Sequence, residues 1–422
     1  MQYSRMLKIS TGTSRKALSW PVSEISWAEF AEKLKTPVRS TETMEEYLKL
    51  PKSRQDDLKD VGGYVGGALS GTRRKAANVA GRDLITLDLD NIPPGHTEDV
   101  LRRVDGLACA ALVYSTRKHS VYSPRLRVVL PSDRTMTADE YEPIARKVAQ
   151  LIGMDLCDPT TFEASRLMYW GSCCKDSDYV YRVYDKPICS ADGILAMYQN
   201  WQDVTEWPQV EGAEAHERRR LAKQEDPTTK PGIIGAFCRC YSITEAMDKF
   251  IPGMYEETAI PDRYTYTGGS TVGGAVIYDG DKFLFSHHAT DPCSGQLVNA
   301  FDLIRLHRYS DLDADSKEGT PNNKLPSFKA MEKAALEEET VSTRIASERH
   351  EKAKEAFAAQ EETSADADDL DWMQKLTVEG CRQPPAEDRP SRYGDRTAPE
   401  DHQQHDSDPA ERPADQGQDC NG

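Results

Sequence analysis

The chain has 422 residues, 70 acidic against 53 basic side chains, a net charge of -17 and 38% hydrophobic residues. That length suits two or three domains, and the hydrophobic share is low for one compact body. No apolar run approaches a membrane span and the start MQYSRMLKIS has no secretory core, while ten cysteines scattered over a long chain fit the reducing cytoplasm of a host cell rather than a disulfide scaffold.

In chain order, Ser26 reads as the N-cap of a helix through Lys35, and Ser40 or Thr41 as the start of a second through Leu50. Residues 61–71, VGGYVGGALSG, hold five glycines, too many for a helix and suited to close backbone approach. RDLITLDLDN is a buried strand, TEDVLRRVDGL a helix, ACAALVYST and RLRVVLP two further strands, and TADEYEPIARKVAQLIG an amphipathic helix opened by Thr137. The order strand, helix, two strands, helix, two strands from 84 to 186 predicts an α/β sandwich within an α+β fold. A polar linker over 206–231 separates this domain, 1–205, from a small mixed α+β domain over 232–345. Residues 346–422 read as a charged helix and a disordered acidic tail.

The charge is unevenly spread. Residues 341–422 carry 20 acidic and 10 basic side chains, so the tail accounts for more than half of the net charge. Partners are chosen by local patches. Two cationic patches flank the aspartate strand: TRRK at 72–75 with Arg82, and Arg117, Lys118, Arg125 and Arg127.

In LDLD at 87–90, alternation along a strand sends Asp88 and Asp90 to one face and Leu87 and Leu89 to the other. Two carboxylates on one face repel unless a cation sits between them, and Mg²⁺ or Mn²⁺ bound by oxygen ligands leaves positions open for phosphate. A third carboxylate completes a site for in-line phosphoryl transfer. Asp158 is the candidate, with Asp155 its rival. A phosphatase of the haloacid-dehalogenase kind also uses such a pair after a strand, but needs a downstream acidic metal loop that is not found in order.

LDLD, a segment ending in His119, and Asp158 resemble the three motifs of the archaeo-eukaryotic primase superfamily. The runs RSTETMEEYLKLPKSRQDDLKDVGGYVGGAL, PRLRVVLP and SRLMYW resemble the primase–polymerase domain of phage and prophage proteins of the virulence-associated-E type. The resemblance covers roughly residues 1–200, and later stretches such as FSHHATDPCSGQLVNAFDLIRLH extend it. It implies a DNA primase with an RRM-like palm beside an N-terminal α/β module. Asp88, Asp90 and Asp158 would be catalytic and hold Mg²⁺ or Mn²⁺. His119, Arg117, Lys118, Arg127 and Ser115 would bind the nucleotide, and Arg73, Arg74 and Lys75 the template. Arg117 stands where the family pattern has serine. The implied partners are single-stranded DNA, dNTP or NTP, and a separately encoded helicase, since no GxxxxGK[ST] sequence occurs in the chain. The alternative is a replication-initiation or template-binding module without synthesis. Cys238, Cys240, His287, His288 and Cys293 raise a zinc reading, against which the CxC spacing counts. Replacing either Asp88 or Asp90 is expected to abolish synthesis and leave the fold nearly intact.

Overall fold

Ser26 is where the chain first turns from strand to helix, and the reason is local. In the computed structural model, which describes residues 1–210, 223–317 and 320–363, the Ser26 hydroxyl takes the Glu29 amide while the Glu29 carboxylate takes the Ser26 amide. That reciprocal cap opens α1 (Trp27–Lys35), whose Trp27, Phe30, Ala31 and Leu34 are buried. The strands β1 (Met6–Gly12) and β2 (Val22–Ser26) precede it and β3 (Val38–Arg39) follows. The second helix, α2 (Met44–Lys49), is capped by Thr43 rather than Ser40 or Thr41. Only Thr43 has a glutamate three residues on, Glu46, to close the box. A third helix, α3 (Lys52–Lys59), leads into the glycines.

The glycine run forms two short strands, β4 (Gly63–Val65) and β5 (Gly67–Leu69). A Cβ on Gly67 would lie 2.0 Å from the Gly81 carbonyl oxygen, so only glycine allows this pairing. β6 (Val79–Leu89) follows, then α4 (Thr97–Gly106), β7 (Ala111–Ser115), β8 (Leu126–Met136) and α5 (Ala138–Ile152). β9 (Met168–Tyr169), β10 (Ser172–Cys173), β11 (Tyr181–Tyr184) and α6 (Ala191–Leu195) complete this part.

Two larger sheets result. One has the order β2-β1-β4-β9; the other, five-stranded and antiparallel throughout, has the order β11-β7-β8-β6-β5. Leu87, Leu89, Val128 and Leu130 pack with α4 and α5 in one core. Leu84, Leu112, Tyr114 and Val129 pack with Trp27, Phe30 and Leu7 in another. The sheet is therefore covered on both faces, by helices on one side and the N-terminal module on the other.

Downstream, α7 (Gly232–Cys240) and α8 (Ile243–Phe250) precede β12 (Tyr255–Glu257), β13 (Arg263–Tyr266), β14 (Ala275–Tyr278), β15 (Phe283–Ser286) and β16 (Leu297–Val298), a sheet in sequential order. α9 (Ala300–Tyr309) and α10 (Pro326–Glu337) share a core with them around Phe237, Phe301 and Leu284. The mixed α+β class is as expected. Residues 1–354 pack as one unit, and a second begins at Glu355 within α11 (Glu339–Thr363). The acidic tail beyond residue 363 lies outside the described residues. Among those described, no helix is long and apolar enough to cross a membrane.

Candidate active site

Asp88 lies near the end of β6 and Asp90 just beyond it, both partly buried. Asp88 pairs in register with Arg127 of β8. The segment 156–158 runs antiparallel beside the end of β6: Leu89 bridges Cys157, the Asp158 amide donates to the Asp88 carbonyl at 2.9 Å, and the Asn91 amide donates to that of Leu156 at 3.2 Å. The following turn is stitched to the same strand, with the Asp88 amide donating to the Thr161 hydroxyl at 2.8 Å. These backbone contacts, which carry no sequence signature, place Asp158 next to the DxD pair. Asp155 sits in the preceding short turn, Met154–Leu156.

The carboxylates are crowded. Burial first, then the charge of Asp88, push the Asp90 carboxyl above its ordinary value, with Asp158 adding to this and Arg125 opposing it. Cys157 beneath them is pushed up to about 12 by burial and then by Asp88, Asp158 and Asp155. Hard oxygen ligands that repel one another in a partly buried cluster fit a divalent cation.

Each carboxylate also has a cationic neighbour. Arg127 grips Asp88 with two bonds, Nε–Oδ1 at 2.7 Å and Nη2–Oδ2 at 3.0 Å. Its Nη1 donates to the Tyr114 hydroxyl at 3.0 Å and the Tyr169 carbonyl at 2.7 Å. Burial is the largest influence and would lower the Arg127 pKa, but the Asp88 charge, Tyr114, the hydrogen bond to Asp88 and Tyr64 together outweigh it and hold the value well above ordinary. Arg125 reaches Asp90 at 2.6 Å with its side chain 31% exposed, and Arg166 lies 3.4 Å from Asp158. Asp158 also caps its turn, taking the Thr160 amide at 2.9 Å and hydroxyl at 2.7 Å.

Of the expected nucleotide contacts, His119 and Lys118 lie beside this cluster. The His119 Nδ1 accepts the Arg125 amide at 3.1 Å, and burial pushes the imidazole below its usual value. Lys118 is pushed down by burial, then by the charges of Lys52 and Arg125, while Asp56 and Asp90 pull the other way. Arg117, Ser115 and Arg127 are directed elsewhere. Arg117 is buried, bonded to Glu42 and to Ser40 at 2.7 Å, with the Tyr47 ring 4.6 Å away. The Ser115 hydroxyl accepts the Val180 amide at 3.0 Å, which ties down a sheet edge. Arg127 is 3% exposed and lies under Asp88. Arg73, Arg74 and Lys75 line a separate cavity of about 580 Å³, together with Trp20, Arg305 and Lys317.

Residues 1–210 match the family model of the VapE N-terminal domain. The chain carries a VapE N-terminal domain. Among solved structures, the AEP domain of the cyanophage S-2L primase-polymerase is 13% identical, with 38% of this chain and 85% of that one covered at a TM-score of 0.26. So loose a superposition bears on neither fold nor function. A comparison with curated proteins gives no match.

The VapE N-terminal domain holds one cation that sequence reading missed. Lys59, at the end of α3, is pushed down by burial and then by Arg127, while Asp88 and Asp90 pull it back, and its Nζ lies 5.0 Å from the Tyr169 ring centre. The signal that it belongs here is tertiary, since nearly thirty residues separate it from the aspartates.

Outside that domain, Asp291, Cys293 and His307 are the one group among the described residues whose three ligand-type atoms all lie within 4.8 Å of one another. This differs from the cysteine and histidine set considered for zinc. The Tyr255 hydroxyl already sits 2.8 Å from both Asp291 and His307, so the group is bonded internally. His288 is occupied as well, with Thr271 at 2.6 Å and the Tyr266 amide at 3.1 Å.

Proposed function

We propose that the chain is a DNA primase–polymerase that joins nucleotides on a single-stranded template. The observation that carries this reading is the crowding of Asp88, Asp90 and Asp158 beside Arg125, Lys59, Lys118 and His119 within a VapE N-terminal domain. In this reading Asp88, Asp90 and Asp158 hold Mg²⁺ or Mn²⁺, which would neutralise phosphate charge and favour the attacking oxyanion.

The chain's own residues divide the remaining work. Arg127 is a positioning residue, because its bonds to Asp88, Tyr114 and Tyr169 leave it little freedom to reach substrate. Arg125 is partly exposed and holds Asp90 by a single contact, so it is free to turn to an incoming triphosphate. Lys59, Lys118 and His119 add positive charge or hydrogen bonds around the same phosphates. The domain division at 205, 232 and 345 and a helicase partner belong to the same proposal.

One observation favours the second reading, a template-binding module without synthesis. The three carboxylates all have arginine neighbours already, and their oxygens do not gather within 4.8 Å as a group. Primer synthesis on single-stranded DNA with labelled dNTP or NTP and Mg²⁺ or Mn²⁺ separates the two. Asp90→Asn should abolish synthesis while costing under about 1 kcal/mol of stability, since Asp90 and Arg125 form a partly exposed pair. Undiminished synthesis in that variant removes the catalytic reading.

A further inference from the structure

Tyr122, at 86% exposure, is the most solvent-exposed large apolar side chain among the described residues, and Val121 beside it is 60% exposed. A single exposed ring is ordinary on a protein surface. The bracing of this one is not. Ser120 and Ser123 exchange backbone bonds in both directions at 3.2 Å, and the Ser123 amide also donates to the Ser120 hydroxyl at 3.0 Å. The Val121 carbonyl accepts the Gly95 amide at 3.1 Å, which pins the tip to the segment leaving Asp90. At the base, the His119 amide donates to the Thr116 carbonyl at 2.9 Å, and His119 Nδ1 takes the Arg125 amide at 3.1 Å.

The ring is thus held out in solvent by a closed hairpin whose stem carries Arg125, the partner of Asp90. Lys118 stands at the same base, where burial and then the nearby charges of Lys52 and Arg125 lower its pKa. A presented aromatic face above a cationic stem is the arrangement by which single strands are held: bases stack while phosphates meet the cations.

We propose that Tyr122 is a stacking platform for a base of the single-stranded template as it approaches the carboxylates. This rests on the template-directed reading above. A ring this exposed suits a polymer passing over it. An incoming nucleotide would instead be held where its triphosphate meets Arg125 and the aspartates, at the foot of the hairpin.

The test is equilibrium binding of the full chain to a labelled single-stranded DNA oligonucleotide, read by fluorescence anisotropy. Tyr122→Ala should weaken binding roughly 5- to 100-fold, the span of one lost base–aromatic stack. Tyr122→Trp should bind as well as the parent, and a fully abasic strand of equal length should bind parent and Tyr122→Ala alike. Three outcomes overturn the proposal: Tyr122→Ala binding within about twofold of the parent, where a lost stack predicts at least about fivefold; an equal loss on the abasic strand; or unchanged strand binding with a raised KM for the incoming nucleotide. The measurement needs no synthesis. If the parent chain makes no primer while Tyr122→Ala still weakens strand binding, the catalytic reading fails and the platform stands.

Discussion

Replacing Arg127 by methionine tests whether that guanidinium supports Asp88 or meets substrate. The side chain is 3% exposed and donates four bonds, two to Asp88 and one each to Tyr114 and Tyr169. Arg127→Met keeps much of the buried volume but leaves Asp88, itself only 13% exposed, without its counter-charge. Breaking a buried pair from one side costs about 3–5 kcal/mol, a large share of the roughly 5–15 kcal/mol that holds a domain folded. The double variant Asp88→Asn, Arg127→Met strands no charge, so it should be more stable than the sum of the single changes by about 1–3 kcal/mol. Urea unfolding followed by both circular dichroism and tryptophan fluorescence measures this, with coincident transitions licensing the comparison. An Arg127→Met chain of parental stability, with a raised nucleotide KM and unchanged kcat, would refute the argument and return Arg127 to the triphosphate. The same pair corrects the expectation that either aspartate can be removed at little cost. Removing Asp88 strands a buried arginine and should cost stability, whereas removing Asp90 from its more exposed pair should not.

Acid should loosen the part of the fold around His287. Burial, then the charges of Arg146, Arg263 and His288, push its imidazole down to about 3. The unfolded chain binds this proton at about pH 6.5, the folded chain only near 3, so stability is complete above 6.5 and falls as the pH drops through that window. The slope is at most about 1.4 kcal/mol per pH unit, and His287→Gln should flatten it in thermal melts between pH 4 and 7; an unchanged slope would place the sensitivity elsewhere. A fragment ending at residue 210 should be more stable to heat than one ending at 205. Trp207 is 3% exposed and donates to the Trp201 carbonyl at 2.7 Å, while Arg146 donates to Pro208 and Gln209. Equal melting temperatures for the two fragments would contradict this.

Local rules were enough for much of this protein. Two positions apart on a strand, Asp88 and Asp90 had to accompany an apolar Leu87 and Leu89. Ser26 and Glu29 made a helix start legible, as did Thr137 and Glu140. The glycines at 62–67 announced close backbone approach because no other residue permits it. These features depend on neighbours a few residues away, which a sequence displays directly. The division of labour among the cations was not legible in that way. Arg117, Arg125 and Arg127 lie close together in the chain and look equivalent, yet one pairs with Glu42, one with Asp90 and one with Asp88. Lys59 joins the aspartates from a distant helix, and the hairpin that presents Tyr122 is braced by Gly95. Each of those outcomes is set by which elements meet across the sheet and how far the N-terminal module covers it. Those are long-range contacts, and pairing strength and burial are properties of the assembled fold.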